Sequence, residues 1–486
     1  MSASPPDTGV QPALEALCRN SEAVFRTRTA TVSRRETVAR EWFQALRTQV
    51  SGASVLVRTT NQLEAAVAML ACDGAARRMV LCPPDFTDEH LPAVLDDAEI
   101  DLILESRGGP ENLALRQAQG EVFYCGATDG ADLQGGHQCS PHAEPVEARG
   151  RAKTGAAVPS HIPTEWVLFT SGTTGRPKLV VHTLEGLAGA IRPPEPGAPE
   201  AVWATFYDIR RYGGLQILLR ALIGGADLVL SSPEEPVADF LARMGEAGAT
   251  HVTGTPSHWR KALMSPAIKR IAPRYVRLSG EIADQAVLDG LRAAFPEAAI
   301  GHAYASTEAG VGFEVADGRE GFPAAFAETR EGPVQMRVVD GSLRLRSGRA
   351  ASRYLGAGAA PLQDEDGFVD TGDMIERRGD RWVFAGRRGG IINVGGLKIH
   401  PEEVEAVINR HPSVSMSLVK GRRNPITGAI VTAEAVLAGA EPTRELTEEV
   451  LELCRAALPP HKVPASLKFV DSLAVTAGGK LERTIA

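Results

Sequence analysis

The sequence has few of the features that mark extracellular scaffolds or membrane proteins. Its six cysteines, at positions 18, 72, 82, 125, 139 and 454, are scattered and form no CxxC pair. This usage predicts a reduced, cytoplasmic setting rather than a disulfide framework. The first 20 residues lack the basic stretch and apolar run of a secretory signal. No window approaches the ~20 apolar residues that span a bilayer, so we expect no membrane insertion.

Positive charge is not in excess either. The chain has 52 Lys plus Arg against 60 Asp plus Glu, a net charge of −8. Because nucleic-acid binding needs clustered positive charge, a nucleic-acid partner is not expected. The 43% hydrophobic and 23% charged content excludes global disorder. A length of 486 residues predicts two or more domains.

Short apolar runs alternate with helix-length segments over most of the chain. Residues 54–59, 61–76 and 77–84 show this alternation, and it returns over residues 201–255. The pattern predicts an α/β fold in which helices cover parallel β-sheets. After Trp382, a Gly-rich stretch leads into a helix, a β pattern, a second helix and a last strand, which is typical of a separate small α+β domain. We place the domains at residues 1–386 and 387–486.

One segment interrupts this pattern. Residues 127–162 are rich in Gly, Pro, His, Ala and charge and have no periodicity. They predict a long exposed insertion. Its His137, Cys139 and His142 leave a metal site open as an alternative, although a solvated loop is favoured because the spacing does not match the usual zinc patterns.

The strongest local motif lies in residues 166–183, where an apolar strand runs into a loop of small hydroxyl residues and glycines. The loop residues are Thr170, Ser171, Gly172, Thr173, Thr174 and Gly175, followed by Lys178. Backbone N–H and hydroxyl groups of such a loop can surround phosphate oxygens while a lysine adds positive charge. The spacing fails the GxxxxGK[ST] pattern of a Walker A loop. A plain polar turn between two elements is the alternative.

Further motifs follow in a fixed order. They are Tyr304–Glu308, Asp370–Asp373, Gly386–Arg387 and a Gly-Gly-Lys at Lys480. Together with the loop they resemble the adenylate-forming superfamily of acyl- and aryl-CoA synthetases, nonribosomal-peptide adenylation domains and luciferases. The resemblance covers about residues 30 to 486. It implies a large N-terminal domain and a small, mobile C-terminal domain.

The resemblance also implies roles for the ATP-binding residues. The loop from Thr170 to Lys178 would hold the β- and γ-phosphates. In the second motif, Tyr304 would pack on adenine beside Ala305 and Ser306, Thr307 would contact the α-phosphate, and Glu308 would hold Mg²⁺. A hard dication suits this placement because it prefers carboxylate and phosphate oxygens. The family usually has glycine where this chain has Ala305.

Four later residues receive roles in the same way. Asp373 would accept hydrogen bonds from the ribose hydroxyls, and Arg387 would contact ribose or phosphate. Lys480 would be the catalytic lysine, acting with Thr307 and Glu308, since an ammonium between the carboxylate and the α-phosphate stabilises the charge of the first transition state. Gly389 stands at the hinge position, where the family commonly has Asp or Lys, and glycine permits a large backbone rotation.

The pockets for the acid and for the thiol are assigned from the resemblance too. The predicted acyl-pocket residues are Tyr207, Arg210, Gly213, Gly280 and Gly301. Arg210 and Arg211 could meet a polar or anionic group of the substrate, or could equally be surface residues or pair with Asp208. The predicted CoA-contacting residues are Gly395, Gly396 and Lys398.

These residues predict an enzyme that activates a carboxylic acid, fatty or aromatic, with Mg-ATP. It would release pyrophosphate and transfer the acyl group to the thiol of CoA. The alternative acceptor is the phosphopantetheine of a carrier protein. A non-catalytic nucleotide-binding protein is a remote alternative to an enzyme, because Lys480, Glu308 and Asp373 are all present. No aspartate stands where adenylation domains bind an ammonium group, so an α-amino acid is disfavoured. The sequence leaves the acid and the oligomeric state open.

Overall fold

The fold was determined from a computed structural model of the chain. The structure describes residues 13–19, 21–107, 109, 111, 113–118, 122–125, 137–138, 162–170, 177–329, 331–424, 428–476 and 478–483. Its elements form three sheets and their covering helices in the first part of the chain, and a smaller unit at the end.

The first large sheet has nine strands, in the order β20-β10-β9-β4-β3-β5-β6-β7-β8. Its strands are β3 (Ser54–Arg58), β4 (Arg78–Leu81), β5 (Leu102–Glu105), β6 (Leu113–Gln117), β7 (Val122–Cys125), β8 (His137–Gln138), β9 (Glu165–Thr170), β10 (Lys178–His182) and β20 (Arg353–Tyr354). The central strands β9, β4, β3 and β5 run parallel, whereas β6 and β10 are antiparallel to their neighbours. The β9–β10 hairpin carries the predicted phosphate loop.

The second large sheet has eight strands, in the order β16-β15-β14-β13-β11-β12-β1-β2. Its strands are β1 (Val24–Arg26), β2 (Thr31–Ser33), β11 (Val202–Thr205), β12 (Asp227–Leu230), β13 (His251–Gly254), β14 (Tyr275–Ser279), β15 (Ala299–Ser306) and β16 (Gly310–Val315). All internal pairs from β15 to β1 are parallel, so their carboxyl ends share one edge. Ligands bind at such an edge in open α/β sheets.

Helices cover both large sheets. They are α1 (Leu14–Arg19), α2 (Arg34–Ala39), α3 (Glu41–Gln49), α4 (Gln62–Cys72), α5 (Leu91–Asp97), α6 (Leu184–Ala188), α7 (Tyr212–Ile223), α8 (Val237–Glu246), α9 (Pro256–Met264) and α10 (Gln285–Ala294). Every residue of α4 is buried, because this helix and α7 contribute to one core with apolar residues of both sheets. Asn61 caps α4 by accepting the N–H of Glu64.

A five-stranded sheet completes the N-terminal part. It contains β17 (Phe322–Pro323), β18 (Val334–Val339), β19 (Ser342–Ser347), β21 (Val369–Arg378) and β22 (Arg381–Arg387), with α11 (Ala325–Glu328) beside it. The C-terminal unit contains β23 (Ile392–Val394), β24 (Leu397–Ile399), α12 (Pro401–Ile408), β25 (Val414–Asn424), β26 (Gly428–Leu437), α13 (Arg444–Ala457) and β27 (Ser466–Phe469). This unit has its own apolar core.

The α/β class and the strand–helix alternation predicted from the sequence are confirmed. The exact boundary at 386/387 stays a prediction; Arg387 is the last residue of β22. In the predicted insertion, His137–Gln138 form a two-residue strand beside β7, and Cys139 and His142 lie outside the described residues. Of the helices that the structure describes, none is long and apolar enough to cross a bilayer. Cys18, Cys72, Cys82 and Cys454 are buried free thiols.

Candidate active site

The ends of the predicted phosphate loop are held side by side. Thr170 ends β9 and pairs with Lys178, which begins β10. Ser171, Gly172, Thr173, Thr174 and Gly175 lie outside the described residues. Lys178 is exposed, and its ammonium lies 5.1 Å from the ring centroid of Tyr354. A cation therefore stands at the mouth of the loop.

The turn after β15 brings a carboxylate to the same place. Glu308 follows β15, and Ser306 Oγ accepts the N–H of Ala309, which shapes the turn. Burial and then the charge of Glu308 raise the pKa of Tyr354 to about 12, so Glu308 and Lys178 both lie near this ring. Glu308 is half-buried. One accessible carboxylate beside the predicted phosphate loop fits Mg²⁺, which is usually held by one or two carboxylates and the substrate phosphates.

Thr307 is positioned by a histidine that the sequence analysis did not single out. His182, the last residue of β10, is 1% exposed, and its Nε2 donates to the Thr307 carbonyl oxygen over 2.8 Å. Burial lowers the pKa of His182 to about 4, so the ring is neutral at pH 7. The sequence signal was a single polar residue closing a strand of buried apolar ones.

Tyr304, Asp373 and Arg387 form one hydrogen-bonded group. The Tyr304 hydroxyl donates to Asp373 Oδ2 over 2.5 Å, and Arg387 Nε donates to Asp373 Oδ1 over 2.8 Å. Burial and then Asp373 raise the pKa of Tyr304, and Asp373 raises that of Arg387. The Tyr304 ring is stacked with Phe313 and Phe384. The three residues come from β15, β21 and β22, so the five-stranded sheet completes a site begun by the eight-stranded one.

Lys480 reaches this cleft from the C-terminal unit. Its Cε lies 3.4 Å from the position that a Cβ on Gly280 would occupy, just beyond the end of β14. Burial disfavours the charged form of the lysine, and the positive charge of Arg387 adds to this effect. The pKa of Lys480 therefore lies below its ordinary value. Lys480 and Arg387 thus bring two cations to one region, where they can attract phosphate and carboxylate groups.

The turn that carries Lys480 is tied to the N-terminal part by direct hydrogen bonds. Thr255 Oγ1 donates to the Gly479 carbonyl oxygen over 2.6 Å, and the Leu481 N–H donates to Glu281 Oε1 over 2.9 Å. No sequence motif pointed to Thr255 or Glu281, because residues 200 or more positions apart meet here only through the docking of two units.

The predicted acyl-pocket residues are partly brought together. Tyr207 is buried and donates to the Ser279 carbonyl oxygen over 3.0 Å, and Gly213 lies 3.6 Å from its ring when a Cβ is placed there. Gly280 has φ +86°, and Gly301 lies beside Glu314. Tyr207, Gly213 and Gly280 thus lie near the carboxyl end of β14, whereas Gly301 pairs with Arg277 in the middle of that strand.

Arg210 and Arg211 do not face this pocket as free cations. Arg210 is 1% exposed, and both its Nε and Nη2 donate to the Asp208 carboxylate, which is the pairing left open above. Arg211 pairs with Asp85 instead of Asp208. The two arginines are therefore already neutralised by carboxylates of the protein.

Gly395, Gly396 and Lys398 lie on a hairpin of the C-terminal unit. Val394 pairs with Leu397, so the two glycines form the loop, and both have positive φ (+58° and +86°). A two-residue hairpin loop of type I′ requires positive φ at both positions, which glycine adopts readily. Gly389 lies in the single turn Arg388–Gly390 that follows β22. The CoA and hinge roles of these residues stay predictions.

The fold and the site define a two-part α/β protein with acidic and basic groups converging between its parts. A family model described as "AMP-binding enzyme" matches residues 19–344, and one described as "AMP-binding enzyme C-terminal domain" matches residues 403–480. The chain therefore belongs to the AMP-binding enzyme family.

Several proteins similar to this chain are named as CoA ligases or CoA synthases. The 2-succinylbenzoate–CoA ligase of Salmonella typhimurium is 30% identical over 260 residues, a match that spans 52% of this chain and about half, 53%, of that ligase. A salicylyl-CoA synthase / salicylate adenylyltransferase of a Streptomyces species is 27% identical, over 89% of this chain and 83% of that protein. The crystal structure of an anthranilate CoA ligase in complex with anthranoyl-AMP has the same fold, with a TM-score of 0.75, 17% identity and coverage of 96% and 95% of the two chains.

Proposed function

We propose that this protein activates a small carboxylic acid with Mg-ATP and transfers the acyl group to the thiol of CoA. In the first step a carboxylate oxygen bonds to the α-phosphorus, and the bond between that phosphorus and the oxygen it shares with the β-phosphorus breaks, which releases pyrophosphate. In the second step the thiol loses its proton to solvent, its sulfur bonds to the acyl carbon, and the bond between that carbon and the phosphate oxygen breaks, which releases AMP.

The observation that carries this proposal is the position of Lys480 beside Gly280. The reacting carboxylate and α-phosphate are both anionic, and Lys480 and Arg387 supply positive charge where these groups would meet. Asp373 is suited to the ribose hydroxyls because a carboxylate accepts at both oxygens. Glu308 would hold Mg²⁺, which neutralises phosphate charge when bound. His182 would keep the Thr307 backbone in place through its hydrogen bond.

We propose that the second step requires the C-terminal unit to change its orientation by a rotation at Gly389. In the present docking Lys480 lies beside Gly280, which supports a role in the first step. Rotation would withdraw Lys480 and bring the hairpin of Gly395, Gly396 and Lys398 toward the acyl group. We also propose a reduced, cytoplasmic location, because that compartment contains ATP and CoA. The buried free cysteines agree with a reducing compartment.

The test is pyrophosphate release with a panel of acids, measured first without and then with CoA. We expect acid-dependent release in both cases and an acyl-CoA product, identified by mass spectrometry, only with CoA. An acyl-AMP that reacts with a phosphopantetheinylated carrier protein but not with CoA would favour the alternative acceptor. A folded protein that binds ATP but releases no pyrophosphate with any acid would refute the proposed activity.

A further inference from the structure

The backbone on both sides of Lys480 is held by side chains of the N-terminal part. On one side, the Thr255 hydroxyl donates to the Gly479 carbonyl oxygen over 2.6 Å. On the other side, the Leu481 N–H donates to Glu281 Oε1 over 2.9 Å. The two sequence neighbours of the lysine are therefore both anchored to the N-terminal part.

The same two side chains complete the first turn of α9. Thr255 Oγ1 accepts the N–H of His258 over 3.1 Å, and Glu281 Oε2 accepts the N–H of Ser257 over 2.9 Å. These N–H groups are among the four that a helix leaves without a partner at its N-terminus. Because α9 holds both side chains, each can keep its place when the C-terminal turn leaves. Thr255 and Glu281 thus form a receptor that is prepared before the turn docks.

The turn between these anchors is closed by its own hydrogen bonds. The Thr476 N–H donates to the Lys480 carbonyl oxygen over 2.8 Å, and Thr476 Oγ1 accepts the Lys480 N–H over 3.3 Å. Val475 and Leu481 form a β-bridge beside it. A closed turn that is anchored at two points has little freedom to reorient. The two anchors therefore set the direction in which the lysine side chain leaves the backbone.

Glu281 also places a negative charge near the lysine. Burial lowers the pKa of Lys480 and Arg387 lowers it further, whereas the carboxylates of Glu281 and Asp373 oppose this shift. Arg211, the remaining charged group that faces Lys480, lowers the pKa. Glu281 is thus the one of the two anchors that also acts on the lysine through its charge.

Two further cations, Lys261 and Arg483, face Glu281. Arg483 has its own carboxylate partner, since its Nη1 and Nη2 donate to the two oxygens of Glu405 over 2.8 and 2.7 Å. The Glu281 charge can therefore be removed without leaving Arg483 unpaired.

We propose that Thr255 and Glu281 are positioning residues for the first step, which hold the backbone on either side of Lys480 and so aim its ammonium at the reacting groups. This inference rests on the proposed function. Both residues act through Lys480 and not by touching a substrate. When the C-terminal unit rotates for the second step, both contacts to the turn break, so only the first step depends on them.

The test measures each half-reaction in single turnovers. Thr255→Val removes the hydroxyl, and Glu281→Gln leaves only one of the two acceptor oxygens. We expect each change to lower the rate of pyrophosphate release about tenfold or more, because small displacements of a reacting group are costly, and to spare thioester formation from supplied acyl-AMP. Thr255→Ser and Glu281→Asp should recover part of the loss. The matched controls are Thr443→Val, which removes the exposed cap of α13, and Glu246→Gln, at an exposed carboxylate.

The pH profile of the first step provides a second readout. Pyrophosphate release should fall as pH rises through the pKa of Lys480, because a neutral lysine no longer attracts the anions. Glu281→Gln should move this fall to lower pH by about half a unit or more, since one nearby negative charge is lost. Thr255→Val removes no charge and should not move it. A merely structural role of Glu281 predicts an unchanged profile in Glu281→Gln, and that result would refute the inference.

Equal losses in both half-reactions, or rates near wild type in either variant, would overturn the inference and leave the proposed function standing. If the wild-type protein turns over no acid, the proposed function fails, and trypsin cleavage then tests the inference alone. In Thr255→Val and Glu281→Gln, cleavage after Lys480 should be about fivefold faster or more, relative to cleavage after Lys468, an exposed lysine of the same unit. Mass spectrometry measures this ratio, and a ratio equal to that of the wild-type protein would refute the inference.

Discussion

A side chain on Gly479 would collide with His258. A Cβ placed on Gly479 would lie 1.8 Å from His258 Cε1, far inside van der Waals contact, and Gly479 also has φ +73°. Thr255, which caps α9 together with His258, donates to the Gly479 carbonyl oxygen. The turn that delivers Lys480 can therefore approach α9 only because residue 479 has no side chain.

Gly479→Ala should accordingly prevent close docking of the C-terminal turn and lower the single-turnover rate of pyrophosphate release at least tenfold. Gly439→Ala is the matched control, since Gly439 has a similar φ of +79° and open space around it. It should incur the same backbone strain, about 1 to 2 kcal/mol, without the loss of rate. Partial recovery of the rate in the double variant with His258→Ala would locate the clash. Wild-type activity of Gly479→Ala would contradict the docking seen here.

Lys480→Ala should abolish most of the adenylation step and spare thioester formation from supplied acyl-AMP. In the proposed mechanism the ammonium would stabilise charge in the first transition state, a contribution of about 3 to 4 kcal/mol or roughly 10²–10³ in rate. Rapid-quench assays of each half-reaction measure this, with Lys468→Ala, an exposed lysine on β27, as the control. Equal losses in both half-reactions would refute the assigned role.

The Tyr304–Asp373 hydrogen bond allows the two residues of the proposed ribose site to be tested separately. Asp373→Ala should raise the KM for ATP at least tenfold, because it removes two acceptor oxygens that a hydroxyl pair can use. Tyr304→Phe keeps the stacked ring and frees Asp373 Oδ2, so it should change this KM less than threefold. Initial rates at varied ATP decide the matter, with the exposed Asp366→Ala as control. A larger effect of Tyr304→Phe than of Asp373→Ala would show that the tyrosine hydroxyl itself contacts the nucleotide.

The buried His182 should make stability depend on pH. Its pKa is about 4 in the folded protein and about 6.5 when unfolded, so the unfolded state binds the extra proton first. The free energy of unfolding should therefore fall as pH decreases from 7 to 4, by about 2 kcal/mol at pH 5 from this group. His182→Gln, which can still donate to Thr307, should flatten the dependence measured by urea unfolding. An unchanged slope would mean that folding does not lower the pKa of His182.

Local sequence patterns predicted much of the architecture. The alternation over residues 54–84 and 201–255 predicted β3, α4, β4 and the strands and helices from β11 to β13, because strand and helix periodicities are set by neighbours along the chain. The order of the motifs led to the family for the same reason, since each motif is a contiguous segment. Tyr304, Asp373 and Arg387 could thus be named before their contacts were known.

Which partner each charged side chain has could be seen only in the folded chain. Arg210 and Arg220 both follow the phosphate loop by a few dozen residues and have the same chemistry. Arg210 meets the Asp208 carboxylate in the core, whereas Arg220 is carried by α7 to a cavity without a described carboxylate partner. Likewise, no residue near Gly479 in the sequence indicates that His258 packs against it. Pairing and clash depend on distances between remote segments, and those distances are fixed by the packing of sheets, helices and the two units against one another.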